Sequence, residues 1–213
     1  HFIYELLQNA DDALARRSEW NGSRAVSFRL CPDALYVSHF GQSFDVHDVE
    51  GICGLGESTK EQTAIGRFGI GFKSVFAFTD RPEIHSGDED FAIETFVWPF
   101  GTSPLVGRDR DETIFILPLS IETETAVAEI TRGFRQLGPK TLLFLRQIEE
   151  IAWQVDGGPS GLYLRSRPEI FDDGVRRVTV IGQEDGKSDV EESWLVFSRQ
   201  VMDATSSPMG YIE

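Results

Sequence analysis

The sequence predicts an α/β (α+β) fold: a two-layer sandwich in which a mixed β-sheet carries its helices on one face. Three observations predict it. Apolar residues recur at helical spacing over residues 1–18 and again over 123–137. Short runs with strand-like alternation, bounded by Gly, Pro and Asp clusters, fill much of the rest. The chain has 213 residues, 40% of them apolar, enough for one sizeable core or for one domain with an appendage.

Taken in order, Phe2, Ile3, Leu6, Leu7, Ala10, Ala13 and Leu14 mark residues 1–18 as an amphipathic helix. Strands follow at Ala25–Leu30 and Leu35–Ser38, with a turn at Cys31-Pro32-Asp33-Ala34 between them. Asp45 to Cys53 is helical. The stretch "GLGESTKEQTAIG" at 54–66 is polar and rich in Gly and Thr, so it predicts a mobile loop. "GRFGIGFKSVFAF" at 66–78 places three glycines in six positions and then enters a helix at about Phe72. Strands are expected at Phe91–Trp98 and Thr113–Leu119, helices at 123–137 and about 139–147, and strands again at 149–155, 161–166, 175–181 and 193–199. "DDGVRR" and "GQEDGKSDVEE" are expected as exposed turns, and the last ten residues, with "SSPMG", as a linker or severed connection. His1 falls at once inside a helical pattern, so the expectation is a piece of a longer chain. One domain is expected over 1–160, and the strand-rich 161–213 either continues it or begins the next domain.

Composition narrows the function classes. A formal net charge of −15 argues against a surface that seeks nucleic acid or anionic membrane, although 20 Lys and Arg leave room for local basic spots. Cys31 and Cys53 are the only cysteines and form no CxxC pattern, which fits a reducing, cytoplasmic setting. No apolar run approaches the roughly 18–20 residues of a membrane span.

Two constellations carry chemistry. Gly66, Gly69 and Gly71 let backbone approach a ligand closely, because glycine has no Cβ and permits positive φ. A helix starting after them would aim its unpaired N–H groups and dipole at that ligand, with Arg67 and Lys73 adding cations, as a phosphate site requires. A lone glycine motif equally suits a tight loop packed on a neighbouring helix. No GxxxxGK[ST] is present, and no short strand–turn–helix unit supplies an acidic ribose partner. Upstream, in "YELLQNADDA", Glu5, Asn9 and Asp12 are spaced i, i+4 and i+7 on one helix face. Asparagine's carbonyl oxygen can ligate Mg²⁺, and glutamate can orient or deprotonate an attacking water. The alternative is a solvated polar face. His47 and His85 have no carboxylate or cysteine at ligand spacing, and Phe40, Phe44, Phe68, Phe72, Phe76 and Phe78 suit a core better than a stacking platform.

In order along the chain, "ELLQNADDA", "HFGQSFDVHDVEGICGLGESTK" and "GRFGIGFKSVF" resemble the three nucleotide-binding boxes of the GHKL ATPase superfamily. That group includes DNA gyrase, MutL-type repair proteins, sensor histidine kinases and the large heat-shock chaperones. "GRFGIGFKSVFAFTDRPEIHSG" is most similar to the sacsin-type branch. The resemblance runs from residue 5 to about 150, including "TIFILPL" and "TLLFLRQIEEI". It implies the Bergerat ATP-binding fold over 1–160, with ATP and Mg²⁺ as cofactors.

By the same resemblance Glu5 stands where the general base does and Asn9 where the Mg²⁺ ligand does, while Asp12 shapes the pocket. Gly66, Arg67, Phe68, Gly69, Ile70, Gly71, Phe72 and Lys73 form the turn and helix start around the phosphates. Ser58, Thr59 and Lys60 belong to a lid, and Thr113 stands where a strand threonine helps hold adenine through water. His39 and Gly41 occupy the base-recognition box, with a departure. The family places an aspartate at the position of His39, to accept the adenine amino hydrogens, and a second glycine at the position of Ser43. A neutral imidazole can accept with its lone pair, stack on the base or fill the pocket.

The resemblance implies an ATP-driven conformational or chaperone-like module of a larger protein. Its partners would be other domains of the same chain, with a homodimer closing on ATP and a client or effector elsewhere; no membrane and no direct nucleic-acid partner are expected. Relatives receive an Arg or Lys from the next domain, so slow turnover is expected of this piece alone. The alternative is a nucleotide-sensing module that controls an effector, as in a bacterial defence system. A histidine-kinase role fits less well, because those domains lack a glutamate at the position of Glu5.

Overall fold

The computed structural model describes residues 2–54, 71–120, 123–172, 174–197, 199–202 and 208–212. Helix α1 (Phe2–Arg16) follows the predicted stripe and buries Phe2, Ile3, Leu6, Leu7, Ala10, Ala13 and Leu14. Beyond it the Arg17 guanidinium lies over the Trp20 ring at 3.5 Å, and Glu19 takes left-handed backbone with φ 59°. Strands β1 (Ala25–Leu30) and β2 (Ala34–His39) pair as an antiparallel hairpin. Helix α2 (Val46–Cys53) starts at a capping box. Asp45 accepts from the N–H groups of His47 and Asp48, Asp48 accepts from the Asp45 N–H, and Gly54 ends the helix at φ 72°.

A 3-10 helix (Phe72–Ala77) comes next, then β3 (Glu83–Ser86), β4 (Glu89–Glu94), β5 (Trp98–Gly101) and β6 (Thr113–Pro118). Helix α3 (Thr123–Gln136), a second 3-10 turn (Pro139–Leu143), β7 (Glu150–Val155), β8 (Ser160–Arg165), β9 (Glu169–Asp172), β10 (Val175–Glu184) and β11 (Val190–Phe197) follow. A separate hairpin joins β12 (Arg199–Met202) to β13 (Pro208–Ile212).

Several elements differ from the sequence expectation. The helices expected from Phe72 and over 139–147 are short 3-10 turns, too brief for a stable α-helix between their flanking loops. The single strand expected at Phe91–Trp98 is a hairpin. Thr95 and Phe96 both take positive φ and turn β4 into β5, with Phe96 held against the Phe76 ring at 4.5 Å. Strands β3 and β9 went unforeseen, and β13 lies where a linker was expected.

One sheet runs in the order β11-β10-β8-β7-β1-β2-β6-β3-β4-β5, with β9 on β10. It is mixed, since β1 and β7 are parallel while the pairings on either side are antiparallel. Register lines up one buried row across six strands: Ile84, Phe115, Val37, Phe28, Trp153 and Gly161. The glycine fits Trp153, because a Cβ at Gly161 would lie 2.3 Å from the indole nitrogen. Helix α3 lays Phe134 on this row, 5.5 Å from both Phe28 and Trp153 ring centres. Helix α1 crosses α3 where Ile3 meets Gly133. Ser27, Arg29 and Gln154 point to the other face, so the helices share one side of the sheet. Each large side chain so buried contributes about 2 kcal/mol. No helix among the described residues is long and apolar enough to cross a membrane.

Candidate functional site

Helix α1 acts as a rail between two loops. Near its start Glu5 lies against Gly71, where an added Cβ would fall 2.0 Å from Glu5 Oε2 and 2.8 Å from its Cδ. Gly71 has ordinary right-handed backbone (φ −67°, ψ −43°), so room for the carboxylate, and not conformational freedom, requires glycine there. The Gly71 carbonyl accepts from the Ser74 N–H at 3.0 Å and the Ser74 hydroxyl at 2.6 Å, which fixes the turn. Near the end of the helix, Ala13 meets Gly41. A Cβ on Gly41 would lie 2.5 Å from Ala13 Cβ, and Gln42 N–H donates to the Ala13 carbonyl at 2.8 Å. Glu5, Asn9 and Ala13 follow one another at four-residue steps of about 6 Å along the axis. Half-buried Asn9 therefore stands midway between the Gly71 turn and the end of β2.

His39 closes that end. Its ring is 2% exposed, and Nδ1 accepts the Gly41 N–H at 3.0 Å. Burial, with Arg16 nearby, pushes the imidazole down to about 4, so it is neutral at pH 7. A neutral ring that accepts at Nδ1 carries its hydrogen on Nε2. His39 thus presents a donor, and its lone pair is already taken. Opposite it in register stands Thr113. The Thr113 hydroxyl bonds the Ser86 hydroxyl at 2.5 Å, and Ser86 also accepts from Phe44 N–H at 3.0 Å. Both hydroxyl residues are fully buried.

Lys73 reaches back to α2, where a Cβ on Gly54 would lie 2.9 Å from its Nζ. There it faces the negative end of the α2 dipole. Burial pushes the Cys53 thiol up to about 11, with Lys73 pulling the other way, so it stays protonated and chemically quiet. Asp12 accepts from Gln8 Nε2 at 3.1 Å, and burial raises its carboxyl above the ordinary value. Arg16 ties α1 to α2 through Asp48 at 2.8 Å. Phe72 is buried in the core. Ser58, Thr59, Lys60, Gly66, Arg67, Phe68, Gly69 and Ile70 lie outside the described residues.

Asp11, which the sequence reading passed over, anchors the site. Its two oxygens accept the backbone N–H groups of Arg146 (3.0 Å), Gln147 (2.7 Å) and Ile148 (2.9 Å), fixing α1 to the chain entering β7. The signal was present: Asp11 sits between Leu7 and Leu14 on the apolar stripe, where a carboxylate must find donors. A cavity of about 510 Å³ that brings together Arg24, Arg146, Arg165, Arg167 and Arg176 includes none of the site residues.

The arrangement offers a carboxylate against a backbone turn, an amide oxygen beside it and a buried donor farther along the same helix. Among the described residues no group of three or more His, Cys, Asp and Glu side chains is placed to hold a metal ion. A cation here would therefore draw most of its ligands from a bound molecule and water, which is the habit of Mg²⁺.

Residues 1–94 match the family model described as the Sacsin domain. Protein NO VEIN of Arabidopsis thaliana is 34% identical over 179 residues, which cover 72% of this chain and 6% of that protein. Sacsin of Homo sapiens is 39% identical over 103 residues, 43% of this chain and 2% of its own length. The chain thus spans a small fraction of these relatives. Among solved structures, one described as the N-terminal domain of a DNA repair protein aligns with 84% of this chain and 66% of its own, at TM-score 0.49 and 12% identity.

Proposed function

Because the N-terminal region of this chain is sacsin-like, we propose that it binds a Mg²⁺–nucleoside triphosphate and hydrolyses it slowly, as the ATPase-type module of a larger sacsin-like or chaperone-like protein. The observation that carries the reading is the contact of Glu5 with Gly71, which joins the helical box to the last glycine of the loop in a cradle that a Cβ would fill. That contact brings a proton acceptor to the turn around which the terminal phosphate would be held. Mg²⁺, when bound, would neutralise phosphate charge, and the Asn9 carbonyl oxygen is its protein ligand in this reading.

Glu5 orients a water toward the terminal phosphorus and takes its proton as the new P–O bond forms; the bond to the bridging oxygen breaks, leaving diphosphate and phosphate. The Gly71 turn and the N–H groups at the start of the 3-10 helix position the phosphates. Thr113 and His39 define the far end, where the base would lie.

Calorimetric titration of the chain with Mg²⁺–triphosphates tests the reading, with Asn9→Ala and Gly71→Ala beside the wild type. Wild type is expected to bind. Asn9→Ala should lose at least about tenfold in affinity, as a lost charge-assisted contact implies. Gly71→Ala displaces Glu5 and should lower turnover more than binding. Binding with no turnover in any longer form of the protein would favour nucleotide sensing. A folded chain that binds no triphosphate would overturn the proposal.

A further inference from the structure

The buried donor at the end of β2 bears on which base the site accepts. The His39 ring is almost wholly buried, and its single ring acceptor is occupied by the Gly41 N–H. Rotating the ring to free that acceptor would leave the Gly41 amide unpaired beside α1, where Gly41 is already in close contact with Ala13. The Nε2–H has no hydrogen-bond partner among the described residues. Its cross-strand neighbour Thr113 is engaged with Ser86, and the Ser86 oxygen receives the Phe44 N–H. A buried donor left without an acceptor is costly, so whatever fills the space beside it is favoured if it brings an acceptor.

Adenine presents an amino group at its six-position, a donor that meets His39 donor to donor. Guanine and hypoxanthine present a carbonyl oxygen there. We propose that His39 makes this a site for 6-oxopurine nucleoside triphosphates in preference to adenine ones. The proposal rests on the reading above, in which the base lies against the end of β2 with its six-position toward His39. Neutrality of the ring supports it: burial keeps the imidazole uncharged at pH 7, so no second N–H is created at the expense of the Gly41 bond.

The test compares Mg²⁺ complexes of GTP, ITP, ATP and inorganic tripolyphosphate by calorimetry on the wild-type chain. ITP carries the six-oxygen without the guanine 2-amino group, so it isolates the atom in question. ITP and GTP are expected to bind at least about tenfold more tightly than ATP, the factor that one unsatisfied buried donor commands. His39→Asp, which replaces the donor with an acceptor, should reverse the order, and the milder His39→Asn, which carries both, should flatten it. ATP binding as tightly as ITP to the wild type overturns the proposal and leaves the triphosphate reading intact. Tripolyphosphate binding as tightly as every nucleotide also overturns it, because the base is then not read. Failure of a folded chain to bind any of the four removes the site reading, and this inference with it.

Discussion

His39 sets a pH dependence that belongs to one residue. In the unfolded chain its imidazole titrates near ~6.5, while burial in the folded protein lowers it to about 4 with Arg16 adding a smaller push the same way. Between those values the unfolded state binds more protons than the folded one, so stability rises with pH across that window and is flat above it. The lowered value corresponds to a contribution on the order of 3 kcal/mol, present above pH 6.5 and lost as pH falls through about 4. Urea unfolding at pH 5 and pH 7 is expected to give a larger gap for wild type than for His39→Asn, the paired difference removing the background from carboxylates. Equal gaps would mean that the ring titrates normally in the fold. In the sequence this position is only a departure from an expected aspartate. Which ring nitrogen is engaged depends on Gly41 folding back onto α1, and no local pattern encodes that.

The elements show where sequence patterns suffice. Helix α1, the β1–β2 hairpin, β6 and β7 each bury one face against the same core, so their periodicity survives intact and they were legible. Strand β3 has only four residues, of which His85 and Ser86 are buried and polar. Its identity comes from pairing with β4 and β6 on either side, which is information at a distance. The β4–β5 turn uses Thr95 and Phe96 at positive φ, a conformation usually given to Gly or Asn, so its residues carry no turn signal. In the candidate site, Glu5 and Asn9 could be placed on one face from spacing alone. Their relation to Gly71 and Gly41 is tertiary.

Asp11 makes the same point, and its effect is measurable on α1 as a whole. Replacing it with Ala leaves three buried backbone N–H groups without their acceptor. Charge-assisted bonds of this kind are worth roughly 1.5–3 kcal/mol each, with incomplete additivity. Asp11→Ala should therefore destabilise by about 3–5 kcal/mol, against well under 1 kcal/mol for exposed Gln8→Ala. Hydrogen exchange should show loss of protection at Gln147 and Ile148 before the strands open. Unchanged protection there would sink this account of how α1 is anchored.

At the scale of the molecule the question is whether the strands after residue 160 are needed by the helices before it. Tyr163, Val178 and Val180 are buried in the same core as α1 and α3. The Tyr163 hydroxyl receives Trp153 Nε1–H at 3.2 Å and lies 3.3 Å from the Leu137 carbonyl. Arg165 donates to the carbonyls of Leu142 (2.9 Å) and Arg146 (3.1 Å), and also to Leu145. It therefore grips from β8 the same segment that Asp11 grips from α1. A chain ended at residue 156 loses both the apolar cover and the second grip. Three side chains at roughly 1.5–3 kcal/mol each approach the 5–15 kcal/mol that holds a whole domain together. Residues 2–197 are accordingly proposed to unfold as one cooperative unit, with a single urea transition common to tryptophan fluorescence and circular dichroism. The 1–156 form should show no cooperative transition and no triphosphate binding, even though it retains Glu5, Asn9, His39 and Gly71. If that form unfolded cooperatively at the same midpoint and bound nucleotide as the longer chain does, β8, β10 and β11 would be an appendage, and the site would depend only on the first 156 residues.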